Sequence, residues 1–417
     1  MMGSSGCRGA VSLTLLLASS GCAGGRSKEV TDTTVTDSAG IVIVQNHLSA
    51  VPRCRRDSQP QLDIGAATGA GPYELYHVTG AARLSDGGIV IVNSGEGQVR
   101  YFDSSGRFIR SVGRLGEGPE EFRNAHGAWV RPGDTVWIGD TSPWRFVVLS
   151  PEGTWVREVA LTPRMPHPVV GGGLLADGSS VLGEENLAAL DSTGGGDYRA
   201  QPIAIVRYGP QGKLLDTVAV VPYALFKPVD PQGRQWLFPL FASAARLAVG
   251  KDRIALTQMS GDPEVLLLND EGLLSRIVRW STEDRRVTDA DVKAEHERIQ
   301  KLMTAPGVDP RAAENYRLFL DLKRGVARLF PSVSHLLLGQ DGRIWVNEFA
   351  RPRDSAGDRW LGLAADGRIE CRLQLPPGLD VYEIGTDYVL AKQVDELGVE
   401  HVVSWEMKIP VEGVMNH

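Results

Sequence analysis

The feature that most constrains the fold is a turn-and-strand unit at residues 81–122. Asp86-Gly87 is a turn signal, and four apolar residues follow at 89–92, which indicates a strand buried on both faces. Residues 99–102 and 108–112 continue as two further strands, separated by polar turns that contain glycine. A single antiparallel meander of this kind cannot bury both of its faces, so it requires neighbours.

Copies of this unit follow along the chain. A glycine that precedes an apolar strand recurs at spacings of 46, 45, 72, 92 and 43 residues: Gly87, Gly133, Gly178, Gly250, Gly342 and Gly385. Three spacings are close to the roughly 45 residues of a four-stranded propeller blade. A second motif also repeats, since GAGPYEL at 69–75 matches GEGPEEF at 116–122. The sequence therefore predicts an all-β fold, a six-bladed β-propeller.

Residues 59–65 have the pattern of an outer strand, although no inner strands precede them. Ring closure explains this pattern, and we expect an N-terminal strand to complete the last blade near residues 401–407. Closure removes the exposed edges that an open array of sheets would leave. Residues 33–46 have the pattern of a hairpin that turns at Ser38-Ala39-Gly40. The prediction is one propeller domain over residues 33–417.

Between the fourth and fifth repeats the hydrophobic period changes from about 2 to about 3.6 residues. Thr288, with Asp291 three residues later, forms a capping-box pattern, and Asp309-Pro310 places a proline at the first position of a second helix. The sequence thus predicts an αα-hairpin insert over about residues 283–328. A packing flange is the simpler interpretation, and a lid over the central channel is the alternative.

Residues 1–22 are predicted to be a targeting segment. An apolar run at 11–18 is too short to cross a bilayer and is followed by Ser-Ser-Gly-Cys, which ends at Cys22. This resembles a bacterial lipoprotein signal, which implies export, acylation of Cys22 and a periplasmic location at the outer membrane. An ordinary secretory signal is the alternative. Residues 23–32 would be a short tether.

The cysteines fit an exported protein. Of Cys7, Cys22, Cys54 and Cys371, the first would leave with the signal and the second would carry lipid. Cys54 and Cys371 would remain in a compartment where disulfides persist. They could join the N-terminal segment to a late blade, or remain as two separate thiols.

Several kinds of site are disfavoured. A phosphate-binding loop at 113–122 would need Lys, then Ser or Thr, then a helix, and none of these follows. The glycines at 171–173 lead into a strand, which argues against a dinucleotide site. The eight histidines form no HxxxH or HExxH pair, and the formal net charge of −7 disfavours nucleic acid as a partner.

One polar constellation remains. The apolar strands, taken as the innermost strands of the blades, end in residues that would surround the mouth of the central channel: Asn93, Asp140, Glu184, Gln258, Asn347, Glu348 and Lys392. Several of these supply oxygen ligands of the kind that Ca²⁺ takes, and six-bladed lactonases use such a cluster for Lewis-acid chemistry. The simpler interpretation is that every propeller has a polar mouth and that Lys392 opposes a cation, so that no cofactor is expected.

The chain resembles a bacterial family of six-bladed β-propellers that is related to NHL-repeat proteins. Its members are typically secreted proteins or lipoproteins, and their function is unknown. The resemblance rests on residues 37–46, 82–122, the helical insert, GQDGRIWVNEF at 339–349 and VDELGVEHV at 394–402. It implies the fold but not the function, because propellers include enzymes, receptors and scaffolds.

Two functional hypotheses follow. The first is an extracytoplasmic, lipid-anchored propeller that binds a protein, peptide or glycan through its loop face and contacts the membrane only through its lipid. The alternative is a Ca²⁺-dependent hydrolase, such as a lactonase, or a lyase that uses the polar ring. Binding is favoured over catalysis because the resemblance supplies no catalytic residues.

Overall fold

The computed structural model describes residues 33–48, 51–67, 69–163, 168–185, 197–228, 236–304, 324–354 and 357–410, with five single positions between 313 and 320. These residues form 28 β-strands in five hydrogen-bonded sheets, and one α-helix. No helix in this part of the chain has the length and apolar character needed to cross a membrane. The predicted signal segment and tether lie outside the described residues.

The strands in the first half of the chain are β1 (Thr33–Ser38), β2 (Ile41–Asn46), β3 (Arg55–Arg56), β4 (Leu62–Ile64), β5 (Val78–Arg83), β6 (Ile89–Asn93), β7 (Gln98–Phe102), β8 (Phe108–Val112), β9 (Ala125–Arg131), β10 (Thr135–Thr141), β11 (Trp144–Leu149), β12 (Trp155–Ala160), β13 (Pro168–Leu174) and β14 (Ser180–Glu185). Those that follow are β15 (Arg199–Tyr208), β16 (Leu214–Pro228), β17 (Trp236–Leu237), β18 (Leu247–Val249), β19 (Arg253–Leu256), β20 (Glu264–Asn269), β21 (Leu274–Trp280), β22 (Val333–Leu338), β23 (Ile344–Glu348), β24 (Asp358–Leu363), β25 (Ile369–Leu375), β26 (Asp380–Ile384), β27 (Tyr388–Val394) and β28 (Glu400–Lys408). The helix α1 (Asp289–Met303) lies between β21 and β22.

The sheets are antiparallel meanders, as the repeat predicts. Strands β5–β8, β9–β12 and β22–β25 form three four-stranded sheets, and β26–β28 are joined by β4. Two further runs, β13–β16 and β18–β21, belong to one eleven-stranded sheet, because Gly172 of β13 forms a parallel pair with Ala248 of β18. The first strands of neighbouring runs lie against each other, with β18 beside β22, β26 beside β5, and β5 beside β9. This ring of sheets is a β-propeller architecture.

The N-terminal segment closes the ring, which confirms the predicted partner of residues 59–65. Strand β4 pairs antiparallel with β28, with Leu62 opposite Ser404 and Ile64 opposite Val402. Gln61 extends this pairing by donating its backbone N–H to the Ser404 carbonyl at 2.8 Å. The sheet that contains β26–β28 is therefore completed by residues from the other end of the chain.

The described residues between 33 and 64 run along the outside of the ring, and we call them the belt. The predicted hairpin is β1–β2, and β2 pairs in parallel with β21. Further along, Cys54 forms a disulfide with Cys371 of β25, with the two Cα atoms 5.3 Å apart. Strands β3 and β4 then pair with β28. Of the two alternatives for these cysteines, the structure has the disulfide, and the belt connects three neighbouring strand runs.

The predicted radial order of the strands was wrong by one position. The apolar strands that the sequence marks as innermost, such as β6, β10 and β23, are the second strands of their runs. Strands on either side and the neighbouring sheets bury them on both faces, which requires apolar side chains. The first strands lie nearest the axis, where β5 approaches β9 so closely that a Cβ on Gly80 would lie 2.8 Å from the Gly127 Cα. Small and polar residues fit there, so these strands lack the apolar pattern.

Apolar clusters fill the spaces between neighbouring runs. One cluster joins β6 to β10 through Val92 and Ile138, and another joins β23 to β27 through Trp345 and Val389. Burial of such side chains contributes about 25 cal/mol for each Å² of apolar surface. Packing between sheets is therefore a main source of the ring's stability.

The predicted capping box is present at the start of α1. The Oγ1 and the backbone N–H of Thr288 both donate to the Asp291 carboxylate, at 2.6 and 3.0 Å, and complete a capping box. The predicted second helix lies mostly outside the described residues. Val292 of α1 packs against a cluster that includes Phe330, and Phe349 packs there too. Because Phe349 follows the end of β23, α1 stands on the face of the ring where the second strands end.

Candidate binding site at the channel mouth

The predicted polar ring lies at one end of the sheets, one strand away from the axis. Five of its members lie within two residues of the end of a second strand, opposite the beginning of a first strand: Asn93 opposite Val78, Asp140 opposite Ala125, Glu184 opposite Pro168, Glu348 opposite Val333 and Lys392 opposite Asp380. Gln258 lies two residues beyond β19, and Asn347 precedes Glu348. Most of these side chains therefore act within their own sheets.

Asn93 and Asp140 hold the segments that lead into the first strands. The Asn93 Oδ1 accepts the backbone N–H of Tyr76 at 2.7 Å. Asp140 accepts the backbone N–H of Asn124 at 3.1 Å and forms an ion pair with Arg145 at 3.2 Å. Asn93 and Asp140 are both fully buried. Their polar groups satisfy backbone donors that would otherwise be buried without partners.

In the repeated glycine–proline motif, a side chain likewise accepts a backbone N–H. Glu74 accepts the backbone N–H of Gly71 at 3.3 Å, and Glu121 accepts that of Gly118 at 2.7 Å. In each copy, a carboxylate from the motif binds a glycine of the same motif. This supports the interpretation of both loops as turns between strand runs rather than phosphate sites.

Glu184 and Gln258 have partners in their own strand runs. The buried Glu184 carboxylate accepts the hydroxyl of Tyr208. The Gln258 Nε2 donates to the Glu264 carboxylate at 2.8 Å. The structure does not bring these two side chains together.

Asn347 and Glu348 also face their own sheet. The Asn347 amide donates to the Arg359 carbonyl at 3.2 Å. The Glu348 carboxylate lies 3.3 Å from the Arg372 guanidinium and 3.9 Å from that of Arg359. Burial raises the pKa of Glu348, and these two arginines oppose the shift.

Lys392 is the ring member that reaches a neighbouring sheet. Its Nζ lies 2.9 Å from Asp380, 3.6 Å from Glu400 and 3.3 Å from the Val78 carbonyl. Within the described residues, no group of three or more His, Cys, Asp or Glu side chains is arranged to hold a metal ion. The predicted ring is therefore a set of separate structural contacts, with Lys392 at the inner edge.

The channel mouth is formed by residues at the beginning of the first strands. His77 and Arg246 directly precede β5 and β18, while His126, His335 and Asp380 lie in β9, β22 and β26. We call these five, together with Lys392, the mouth residues. The three histidines and Asp380 are exposed, and Arg246 is half-buried.

Hydrogen bonds connect the mouth across neighbouring strand runs. The Arg246 Nε donates to the Ser334 carbonyl at 2.6 Å and so joins the start of β18 to β22. The Lys392 Nζ bridges β27 to β5 at the Val78 carbonyl. The Tyr382 hydroxyl donates to the same carbonyl at 2.9 Å. The mouth is thus a polar surface to which several runs contribute.

Two mouth imidazoles are exposed to solvent and yet surrounded by protein. Burial lowers the pKa of His335, Arg246 lowers it further, and Asp380 opposes the shift. Burial also lowers the pKa of His126, with His77 adding to the effect.

The mouth residues form no recognisable sequence motif, because they come from five different repeats. The signal that was available is weak: a polar or charged residue lies four to ten positions before five of the six turn glycines. His77, Arg246 and His335 are examples. Such positions become informative only when the first strands are known to line the axis.

A family model agrees with the fold, and solved structures are similar to this chain. The DUF5128 family, described as a 6-bladed beta-propeller, matches residues 78–141. No curated protein matches this sequence. Among solved structures, a member of the duf4221 family from Bacteroides vulgatus is 11% identical over 86% of this chain and 99% of that chain, with a TM-score of 0.49.

Two solved structures with named activities are also similar. Regucalcin from Agrobacterium tumefaciens, a calcium-binding protein, is 12% identical over 82% of this chain and 95% of that chain, with a TM-score of 0.39. A catalytically inactive virginiamycin B lyase from Staphylococcus aureus with quinupristin is 11% identical over 81% and 88%, with a TM-score of 0.38. The family match, which runs from β5 to β10, supports a β-propeller. None of these similarities identifies a ligand or a reaction.

Proposed function

We propose that this protein is a six-bladed β-propeller that binds a protein, peptide or glycan ligand at its channel mouth. Six strand runs support the blade count: β5–β8, β9–β12, β13–β16, β18–β21, β22–β25, and β26–β28 with β4. The third and fourth runs share a sheet through a single parallel pair, so they count as neighbouring blades. The segment that contains α1 is then the insert between blades four and five.

The observation that carries the binding proposal is the convergence of polar mouth residues from several strand runs, two of which Arg246 joins through its hydrogen bond to the Ser334 carbonyl at 2.6 Å. His126 and His335 are exposed at this mouth. They stand on strands of two different blades, and rigid elements place recognition groups accurately. A few convergent polar groups of this kind fix the orientation of a ligand in a binding site.

The Ca²⁺-dependent hydrolase is less well supported by the contacts of the polar ring. Asn93 and Asp140 bind backbone N–H groups of their own blades. Asp140 would have to leave Arg145 before it could bind a metal ion. Lys392 also places an ammonium group near the mouth, where it would repel a cation.

We further propose that the propeller is exported and anchored by a lipid on Cys22. The first described strand begins at Thr33, after the ten residues 23–32. Ten residues span at most about 33–36 Å when fully extended. A tether of that reach would hold the ring close to the surface of a membrane.

The binding proposal can be tested with immobilised peptides and glycans. Wild-type protein is compared with a His126→Ala/His335→Ala variant and with His47→Ala, which removes an exposed imidazole from the belt. Ligands that the wild type retains should be lost by the double variant and kept by His47→Ala. Full retention by a folded double variant would show that the mouth is not the binding site.

A further inference from the structure

Arg246 is a mouth cation without a carboxylate partner. Its Nε donates to the Ser334 carbonyl at 2.6 Å, and its Nη1 donates to the Ala245 carbonyl at 3.3 Å. No ion pair joins it to an Asp or Glu among the described residues. Lys392, in contrast, is paired with Asp380 and Glu400. Arg246 is therefore the uncompensated charge of the mouth.

The surroundings of Arg246 make this charge costly. Burial lowers the pKa of Arg246, and the Tyr223 phenol only opposes the shift. A cation that is removed from water without a counter-ion destabilises a protein unless an anion is supplied. Two carbonyls from different strand runs fix the guanidinium, so it is already positioned for such an anion.

Arg131 lies at the end of β9 that is distant from the mouth. It is a matched arginine whose charge is partly compensated by a carboxylate. It also donates to carbonyls of the next blade, at 3.5 Å to Leu174 and 2.6 Å to Ala176. Burial lowers the pKa of Arg131, but the Asp177 carboxylate partly offsets the shift. The comparison shows what Arg246 lacks, which is a carboxylate among the groups that raise its pKa.

His335 supplies a second donor beside Arg246. Its ring packs edge-on against Trp360, with the ring centroids 5.9 Å apart, which restrains its orientation. A neutral imidazole can donate one N–H. The pair therefore offers a planar cation and a neutral donor, which suits one carboxylate group.

We propose that Arg246 and His335 bind a carboxylate of the ligand. This inference rests on the proposed function and adds the chemistry of the ligand, an acidic group on a glycan or on a peptide. A phosphate dianion fits less well, because its second charge would approach the Asp380 side chain, which is 64% exposed at the same mouth.

The test is calorimetric titration with two matched pairs of probes. Tri-galacturonate is compared with its methyl ester, and a triglutamate peptide with a triglutamine peptide, so that the source of the carboxylate is distinguished. The proteins are wild type, Arg246→Gln and the matched control Arg131→Gln. Wild type should bind at least one acid, and Arg246→Gln should weaken it about 10- to 100-fold, the range for a lost charge-assisted hydrogen bond. Arg131→Gln should bind as the wild type does.

A second measurement does not depend on whether the variant folds. Bound carboxylate should raise the pKa of His335, which NMR titration of the wild-type imidazole detects without any substitution. The proposal is overturned if neither acid binds at millimolar concentration, if an acid and its neutral partner bind equally, or if both arginine variants lose affinity alike. If neutral ligands bind and the His126→Ala/His335→Ala variant loses them, the carboxylate proposal fails while the binding function stands.

Discussion

The Asn46 side chain joins two blades, because its Oδ1 accepts the backbone N–H of Ile369 at 3.1 Å while its Nδ2 donates to the Gly367 carbonyl at 3.0 Å. Asn46 ends β2 of the belt, and Ile369 begins β25 of another sheet. Asn46 is fully buried. One amide thus satisfies two backbone groups between sheets.

We expect Asn46→Ala to lower the free energy of unfolding by about 2–4 kcal/mol, because each buried backbone group left without a partner costs about 1–3 kcal/mol. Denaturant titration measures this loss. His47→Ala, on the exposed side of the same segment, should change stability by less than about 0.5 kcal/mol. Equal effects of the two changes would show that the amide contacts contribute little.

The disulfide between Cys54 and Cys371 should stabilise the folded protein. Its removal in a Cys54→Ala/Cys371→Ala variant should cost about 2–5 kcal/mol, as is typical for native disulfides. In chemical denaturation with a reductant present, the unfolding midpoint of the wild type should approach that of the variant. A reductant that leaves the unfolding midpoint of the wild type unchanged would contradict the prediction.

Breaking the ion pair of Asp140 and Arg145 should be strongly destabilising. Their side chains are 0% and 6% exposed and lie 3.2 Å apart. Arg145→Met should cost about 3–5 kcal/mol, because the Asp140 charge is then buried without compensation. Asp140→Asn should cost less, because Arg145 keeps its ion pair with Glu158 at 2.9 Å. The double variant should lose less than the sum of the two, which a double-mutant cycle measures.

Asp140 also allows a structural role to be distinguished from a calcium site. If Asp140 acts through Arg145 and the backbone, a chelator should leave the melting temperature of the wild type unchanged. A chelator that reproduces the effect of Asp140→Asn would favour the calcium alternative. Metal analysis of the purified protein, beside a Glu184→Ala variant, is an independent check.

Stability should decrease as the pH falls from about 7 to about 5. The pKa values of His126 and His335 are lowered from 6.5 in the folded state. Below pH 6.5 the unfolded chain therefore binds more protons than the folded protein, and this favours unfolding. The stabilisation is complete above pH 6.5 and is lost as the pH falls toward the folded pKa values.

Unfolding midpoints from pH 5 to pH 8 measure this dependence. A His126→Asn/His335→Asn variant should have a shallower slope than the wild type. His47→Asn is the control and should keep the slope of the wild type. Parallel slopes for the wild type and the double variant would assign the effect to other groups.

The proposed lipid anchor predicts the location of the protein in cells. Cys22→Ala should move the protein from the membrane fraction to the soluble fraction, because acyl chains provide the attachment. Fractionation followed by immunoblotting measures the change. Unchanged membrane association of the variant would refute acylation of Cys22 as the cause of attachment.

Much of the fold could be predicted from local pattern. The turn glycines and apolar runs located strands such as β6 and β23, and the isolated outer strand at 59–65 indicated closure. Radial order could not be predicted in the same way, because apolar character reports burial rather than distance from the axis. Strand β6 is more buried than β5 although it lies further out.

The candidate site was harder to predict than the fold. The polar ring lies at the same end of the sheets as the mouth residues, since the end of each second strand lies opposite the beginning of a first strand. Arg246 and His335 could not be recognised as neighbours, because they come from two repeats and the insert separates them in sequence. Their proximity follows from the contact between β18 and β22.

The belt determines how tension on the N-terminal side would reach the ring. A pull at Thr33 would first peel β1 and β2 from β21, and it would then meet the covalent link at Cys54. That link passes the load to β25 before the seam between β4 and β28 is stretched. A tethered molecule that loses the β1–β2 hairpin under force would therefore keep the closed ring of sheets and the mouth intact.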